Sequence, residues 1–261
     1  MDSIFFLYII AGAAVGLAVG ITGVGGGSLM TPILLMFGFP PNIAIGTDLL
    51  YAAITKSGGV FAHQARGNIN WSIVGNMAAG SIPAAIATSL ALKYFFGNAD
   101  AYGHFLTFSL GIVLVLTSLT LFFRQHLQRK VTQDRGFFAV IHRHSAFFTV
   151  LMGFIIGIFV TLSSVGAGAI GAAVLFMLYP HLSSYKIVGI DIAHAVPLTL
   201  IAGFAHLWLG NVDFFLLAGL LIGSLPAIHV GAHLSGKFPS AVLQRILALV
   251  LMFIGLKYVF F

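Results

Sequence analysis

The sequence predicts an all-α polytopic membrane protein made of two inverted repeats. Each repeat has about five helical segments, and the second is short and follows a glycine-rich break. Three observations carry this. Of 261 residues, 59% are hydrophobic and 7% charged, against about 25% charged in a soluble domain. So few charges cannot cover a water-soluble fold of this length. The apolar residues also fall into long runs. Lipid admits only helices and closed barrels, and no alternating pattern supports a barrel. Finally, the two halves of the chain match each other at nearly constant spacing.

The first run, 4–22, has Asp2 before it and no basic flank. It is too long for a signal-peptide core and is expected to be a retained membrane segment. A short run, 28–38, follows Thr22-Gly-Val-Gly-Gly-Gly27, and longer runs cover 44–61, 72–95 and 104–123. The first membrane repeat is therefore 1–123. Residues 124–145 form a basic loop with Arg124, Arg129, Lys130, Arg135 and Arg143. Such a loop between apolar runs marks a cytoplasmic connection, so the net charge of +6 is no sign of nucleic-acid binding. The second repeat, 146–261, has runs at 146–163, 169–179, 187–206, 214–234 and 242–261. Its short run again follows a glycine-bearing turn, Ser163-Ser-Val-Gly-Ala-Gly168.

The repeat is visible residue by residue. Phe61-Ala-His63 and Gly67-Asn68 recur as Phe204-Ala-His206 and Gly210-Asn211, a shift of 143. Gly46 meets Gly189, Asp48 meets Asp191, and Gly80-Ser81-x-Pro83 meets Gly223-Ser224-x-Pro226 at the same shift. The glycine turns match at 141. With five crossings per half, nine of the twelve Lys and Arg fall on the cytoplasmic side. With four crossings the count drops to seven, so the charges favour the odd number and hence inverted halves.

Zero cysteines exclude Cys-based zinc sites, iron–sulfur clusters and thiol catalysis. No nucleophile elbow, zinc-protease motif or ATP-binding loop is present. No enzyme activity and no cofactor is expected. The expected partners are the lipid bilayer and a small anion, and the sequence fixes neither oligomeric state nor a protein partner.

The candidate substrate site lies at the two glycine turns. Glycine lets a ligand approach the main chain, and a helix N-terminus offers free N–H groups and partial positive charge. Gly25, Gly26 and Gly27 precede the helix expected from Ser28; Gly166, Ala167 and Gly168 precede the one expected from Ala169. Thr22, Ser28, Ser163 and Ser164 add hydroxyls. The alternative is that these glycines only permit close helix packing. Asp48 and Asp191 are candidates for proton coupling or gating, because a carboxylate in lipid is costly and usually functional. They could instead be first-turn residues near the membrane surface that favour their own helix dipoles.

Lys56 lies within an apolar run with Thr199 as its uncharged counterpart. It could balance Asp48, attract an anionic substrate, or merely snorkel. His194, three residues after Asp191 on one helical face, could share a proton with it. His63 and His206 could relay protons near neutral pH, but read first as hydrogen-bonded interfacial histidines that end helices. His229 and His233 have the i, i+4 spacing of metal ligands, but Ile86 and Leu90 are their counterparts and no third ligand is evident. No metal is expected.

The runs Gly20-Ile-Thr-Gly-Val-Gly-Gly-Gly-Ser-Leu-Met-Thr-Pro-Ile-Leu34 and Gly46-Thr-Asp-Leu-Leu-Tyr-Ala-Ala-Ile-Thr-Lys56 resemble the TauE/SafE sulfite exporter family. So do Ser163-Ser-Val-Gly-Ala-Gly-Ala-Ile-Gly171 and Ile187-Val-Gly-Ile-Asp-Ile-Ala-His-Ala-Val-Pro197. The likeness covers nearly the whole chain. It departs in Asp48, where many members have serine, and in Ala167, where many have glycine. The resemblance implies a multi-pass carrier of the bacterial inner membrane for sulfite, thiosulfate or organosulfonates, with seven or eight spans. A passive anion channel on the same scaffold is the alternative, and a histidine-based redox subunit a more distant one.

Overall fold

The computed structural model describes residues 2–22, 29–96, 99–133, 144–234 and 240–260. They form ten helices and, among the described residues, no strand. The first half contains α1 (Asp2–Thr22), α2 (Met30–Met36), α3 (Pro41–Ala65), α4 (Trp71–Phe96) and α5 (Ala99–Gln133). The second contains α6 (Ser145–Ser163), α7 (Ala169–Leu178), α8 (Ser184–Trp208), α9 (Phe214–Leu234) and α10 (Ser240–Phe260). Seven of these, α1, α4, α5, α6, α8, α9 and α10, are long and apolar enough to cross a membrane. Side chains such as Phe253 and Phe61 stand 75% and 76% exposed, as a lipid-facing wall requires.

Equivalent sequences build equivalent helix ends. Helix α3 stops where Gly67 adopts φ +64°, with Asn68 N–H donating to His63 O. Helix α8 stops at Gly210, φ +77°, with Asn211 N–H donating to His206 O. This is the left-handed glycine stop, which only a residue without Cβ adopts cheaply. The next helix of each half is then capped by a side chain. Asn70 Oδ1 accepts from Ser72 and Ile73 N–H at 3.1 and 3.4 Å. Asp213 Oδ1 accepts from Phe215 and Leu216 N–H at 2.9 and 3.0 Å.

The halves interlock. Helix α1 packs on α9 and α4 packs on α6, so the first helix of each half lies against the fourth of the other. Glycines set both contacts. A Cβ on Gly12 would strike Leu220, one on Gly16 Ser224, and one on Gly20 Ile228. The order shows that α1 and α9 run parallel. Gly153 meets Met77 and Gly157 meets Ser81, so α4 and α6 also run parallel. Small residues at every fourth position let two backbones approach this closely in lipid.

The equivalent helices meet antiparallel. In the α3–α8 pair, Gly46 faces His206 and Asn211, while Gly189 faces His63 and Asn68. In the α5–α10 pair, Gly111 faces Gly255 and Tyr258, while Ser118 Oγ donates to Ala248 O at 2.6 Å. Lys93, near the end of α4, sits 3.2 Å over the Trp208 ring at the end of α8, so these two ends share one side.

Two boundaries differ from the hydropathy reading. Helix α5 does not stop at the last apolar residue but continues to Gln133, through residues with good helix propensity. Helix α3 begins at Pro41, because proline is pre-set for the first helical turn. The rest of the basic connection, 134–143, lies outside the described residues.

Candidate functional site

The site is built around the break between α6 and α7. Ser164 ends α6 with φ +58°, and Gly166 and Gly168 hold φ of +117° and +130°. No L side chain accepts the glycine values readily. The ladder of α7 starts only with Gly171 N–H to Gly166 O and Ala172 N–H to Gly168 O, so the amides of 168–170 lie outside it.

Both aspartates are deeply buried, Asp48 at 0% and Asp191 at 4% exposure. Neither is a first-turn residue: α3 starts at Pro41 and α8 at Ser184, so each aspartate is eight residues in. The surface-capping alternative is thereby corrected. Each carboxylate instead reaches the start of the short helix of its own half. Asp48 Oδ2 accepts from Thr31 N–H at 3.2 Å and Thr31 Oγ1 at 2.6 Å, on α2. The Gly168 backbone N–H faces the Asp191 carboxylate, before α7, and Asp191 Oδ1 lies where a Cβ on Gly171 would sit. In both residues Oδ1 has no hydrogen-bond partner.

Lys56 extends from α3 to the same break. Its Nζ is 3.4 Å from Ala167 O, and its charge acts on both Asp48 and Asp191. Ser164 faces Asp48 from the other half, although its hydroxyl makes no hydrogen bond within ordinary limits. Ser163 Oγ is occupied locally, donating to Phe159 O at 2.6 Å and accepting from Val165 N–H at 3.1 Å. Of the predicted set, the structure brings together Asp48, Lys56, Ser164, Ala167, Gly168 and Asp191. Ser163 braces the turn and Gly166 gives it its shape. Gly25, Gly26, Gly27 and Ser28 lie outside the described residues, and so does the Thr22 side chain.

His194 is fully buried. Its Nε2 is 2.8 Å from Ser81 Oγ on α4, while its Nδ1 has no partner. His206 is also fully buried and lies in the last turn of α8. Its Nε2–H donates to Thr161 O at 3.0 Å, and its Nδ1 accepts from Asn211 at 3.3 Å. Asn211 in turn accepts from Asn42 Nδ2 at 2.8 Å. This chain ties the start of α3 to the end of α6. His229 and His233 each hold a backbone carbonyl of the preceding turn through Nδ1, and no group of three or more metal-ligating side chains occurs among the described residues.

Thr31, Tyr51, Ser81, Gly171 and Ser224 escaped the sequence reading as site residues. A hint existed for three of them: at the 143 shift Tyr51 falls on His194 and Ser81 on Ser224.

The sulfite exporter TauE/SafE family profile matches residues 8–258. "Probable membrane transporter protein YjnA" of Bacillus subtilis is 38% identical over 96% of this chain and 98% of its own length. "Probable membrane transporter protein YdhB" of the same organism is 30% identical over 94% and 96%. "Probable membrane transporter protein MJ0441" of Methanocaldococcus jannaschii is 27% identical over 96% and 93%. No solved structure matches.

Proposed function

Because the chain belongs to the sulfite exporter TauE/SafE family of membrane transporters, we propose that it carries a small sulfur-containing anion with protons. Sulfite, thiosulfate and organosulfonates are the substrate class, and the bacterial cell membrane is its place. The two halves form inverted repeats that rock to give alternating access, a reading supported by the antiparallel α3–α8 and α5–α10 pairs and common among transporters.

One observation carries the proposal: Lys56 Nζ, from α3, lies 3.4 Å from Ala167 O at a non-helical turn, near the buried carboxyl groups of Asp48 and Asp191. In lipid such backbone is tolerated where it is buried in protein or lines a cavity. The charges also bear on coupling. With all three groups ionised the enclosure holds −1, and a bound monoanion makes it −2. Each uncompensated buried charge costs several kcal/mol. A proton on a carboxylate removes one such charge, so anion binding and proton uptake favour each other. Lys56 and the amides of Ala169 and Ile170 then face the anion.

The test is flux into proteoliposomes. Radiolabelled sulfite, thiosulfate and isethionate are offered with and without an imposed pH gradient. Saturable uptake of at least one, enhanced by the gradient, is expected. Absence of uptake for all three, or conduction without saturation, refutes the proposal.

A further inference from the structure

The two halves place equivalent residues in equivalent positions, and then differ chemically at one of them. The 143 shift maps Asp48 onto Asp191, Tyr51 onto His194, and Ser81 onto Ser224. In one arm, His194 of α8 meets Ser81 of α4 at 2.8 Å. In the other, Tyr51 of α3 faces Ser224 of α9, with neither hydroxyl in a hydrogen bond of ordinary geometry. Tyr51 and His194 are both buried, at 1% and 0% exposure. Each lies one turn beyond its aspartate, on the same helical face.

The aspartates are held unequally as well. Thr31 clamps Asp48 with backbone and hydroxyl. At the 141 shift its counterpart is Ala172, which has no hydroxyl to give. The neighbouring counterparts are Met30 and Gly171, and the absent side chain at Gly171 is what makes room for Asp191 Oδ1. One arm thus holds a clamped acid beside a phenol, which stays protonated at neutral pH. The other holds a less constrained acid beside an imidazole, which has a second ring nitrogen, Nδ1, without a hydrogen-bond partner and can both donate and accept.

We propose that the arms have divided their labour: the Asp191–His194–Ser81 arm moves the coupled proton, and the Asp48–Tyr51–Ser224 arm positions its half. This rests on the proton-coupled reading above. The proton passes between the Asp191 carboxylate and the unpartnered Nδ1 of His194, each taking one proton and returning it, with no other reactant. Ser81 is a positioning residue that fixes the imidazole through Nε2. Lys56 of α3 is the charged group that acts on His194, and Asp191 stands three residues before it on its own helix. From α4 it meets the Ser81 hydroxyl, and Lys93 of the same helix stands at the far end on Trp208. Helices α6 and α7 contain no charged residue and no histidine. Of the other titratable residues on α3, His63 lies against Gly189 and Asp48 against Thr31.

The test compares two rates in the same proteoliposomes: uptake driven by a pH gradient, and substrate counterflow without one. The ratio of the two measures coupling and cancels losses of folded protein. With radiolabelled sulfite, thiosulfate or isethionate, H194Y, which writes the other half's residue, and H194Q are expected to lower this ratio at least ten-fold. S81A is expected to lower it at least three-fold, and it decides where the His194 variants give no counterflow. Y51F and S224A are expected to keep it within two-fold. A ratio kept by H194Q and S81A, or lost equally in Y51F, overturns the assignment alone. A wild-type protein with counterflow but no response to the pH gradient overturns the proton-coupled reading itself.

Discussion

Gly171→Ala isolates the fit between Asp191 and the start of α7. In a helix interior this change normally favours folding by about 1 kcal/mol. Here the added methyl lands on Asp191 Oδ1. The carboxylate must swing away from the helix start, where the Gly168 N–H faces it. Overpacking a close-fitted interior costs ~1–3 kcal/mol. Against the helix gain, a net loss of up to about 2 kcal/mol is expected. The control is Gly75→Ala, also inside a helix but with nothing within 4 Å of the new Cβ. Thermal unfolding in detergent should rank Gly171→Ala below wild type and Gly75→Ala at or above it. Adding Asp191→Ala to Gly171→Ala removes the opposing oxygen. A double-mutant cycle should then show a favourable coupling of at least ~1 kcal/mol. If Gly171→Ala unfolds with Gly75→Ala, or if the cycle shows no coupling, the close fit of carboxylate and helix start is wrong.

Three further outcomes are expected. Lys56→Met should reduce uptake of the transported anion more than ten-fold in proteoliposomes, with Lys56→Arg keeping more of it than Lys56→Met. Thr31→Ala removes the 2.6 Å donor to Asp48 and should destabilise the protein by about 1.5–3 kcal/mol on thermal unfolding, whereas Thr31→Ser should recover most of that loss. The chain has no cysteine, so single-cysteine variants report topology without background: Lys93→Cys and Lys257→Cys should react with an impermeant maleimide from outside intact cells, and Arg66→Cys and Lys186→Cys only after permeabilisation.

Much of this architecture was legible in the sequence, because lipid makes apolar runs and glycine breaks conspicuous. The ten runs coincide with the ten helices, and the short second segment of each half is there as α2 and α7. Asp48 was harder to place. The polar Asn42 and the proline pair before it hide the first two turns of α3 from a hydropathy reading, so a deep residue looked superficial. The clamp by Thr31 joins residues 17 apart on different helices, and no local pattern encodes it. Burial of His206 was equally hidden, since its carbonyl partner, Thr161, is 45 residues away. The contrast of Tyr51 with His194 needed only the 143 shift, but a repeat is found through its identities, and this position is informative because it differs.

The crossed pairing of α1 with α9 has a temporal meaning. Helix α1 leaves the ribosome ahead of the other nine helices, yet the surface that Gly12, Gly16 and Gly20 are shaped to meet is not synthesised until Phe214–Leu234 appears. Until then its glycine-lined face lacks the partner it is shaped for. Helices α4 and α6 wait far less, since their sequences are nearly adjacent. Insertion and final packing of the first segment are therefore separated by most of translation, and neither half, made alone, contains the neighbour its own outer helix requires.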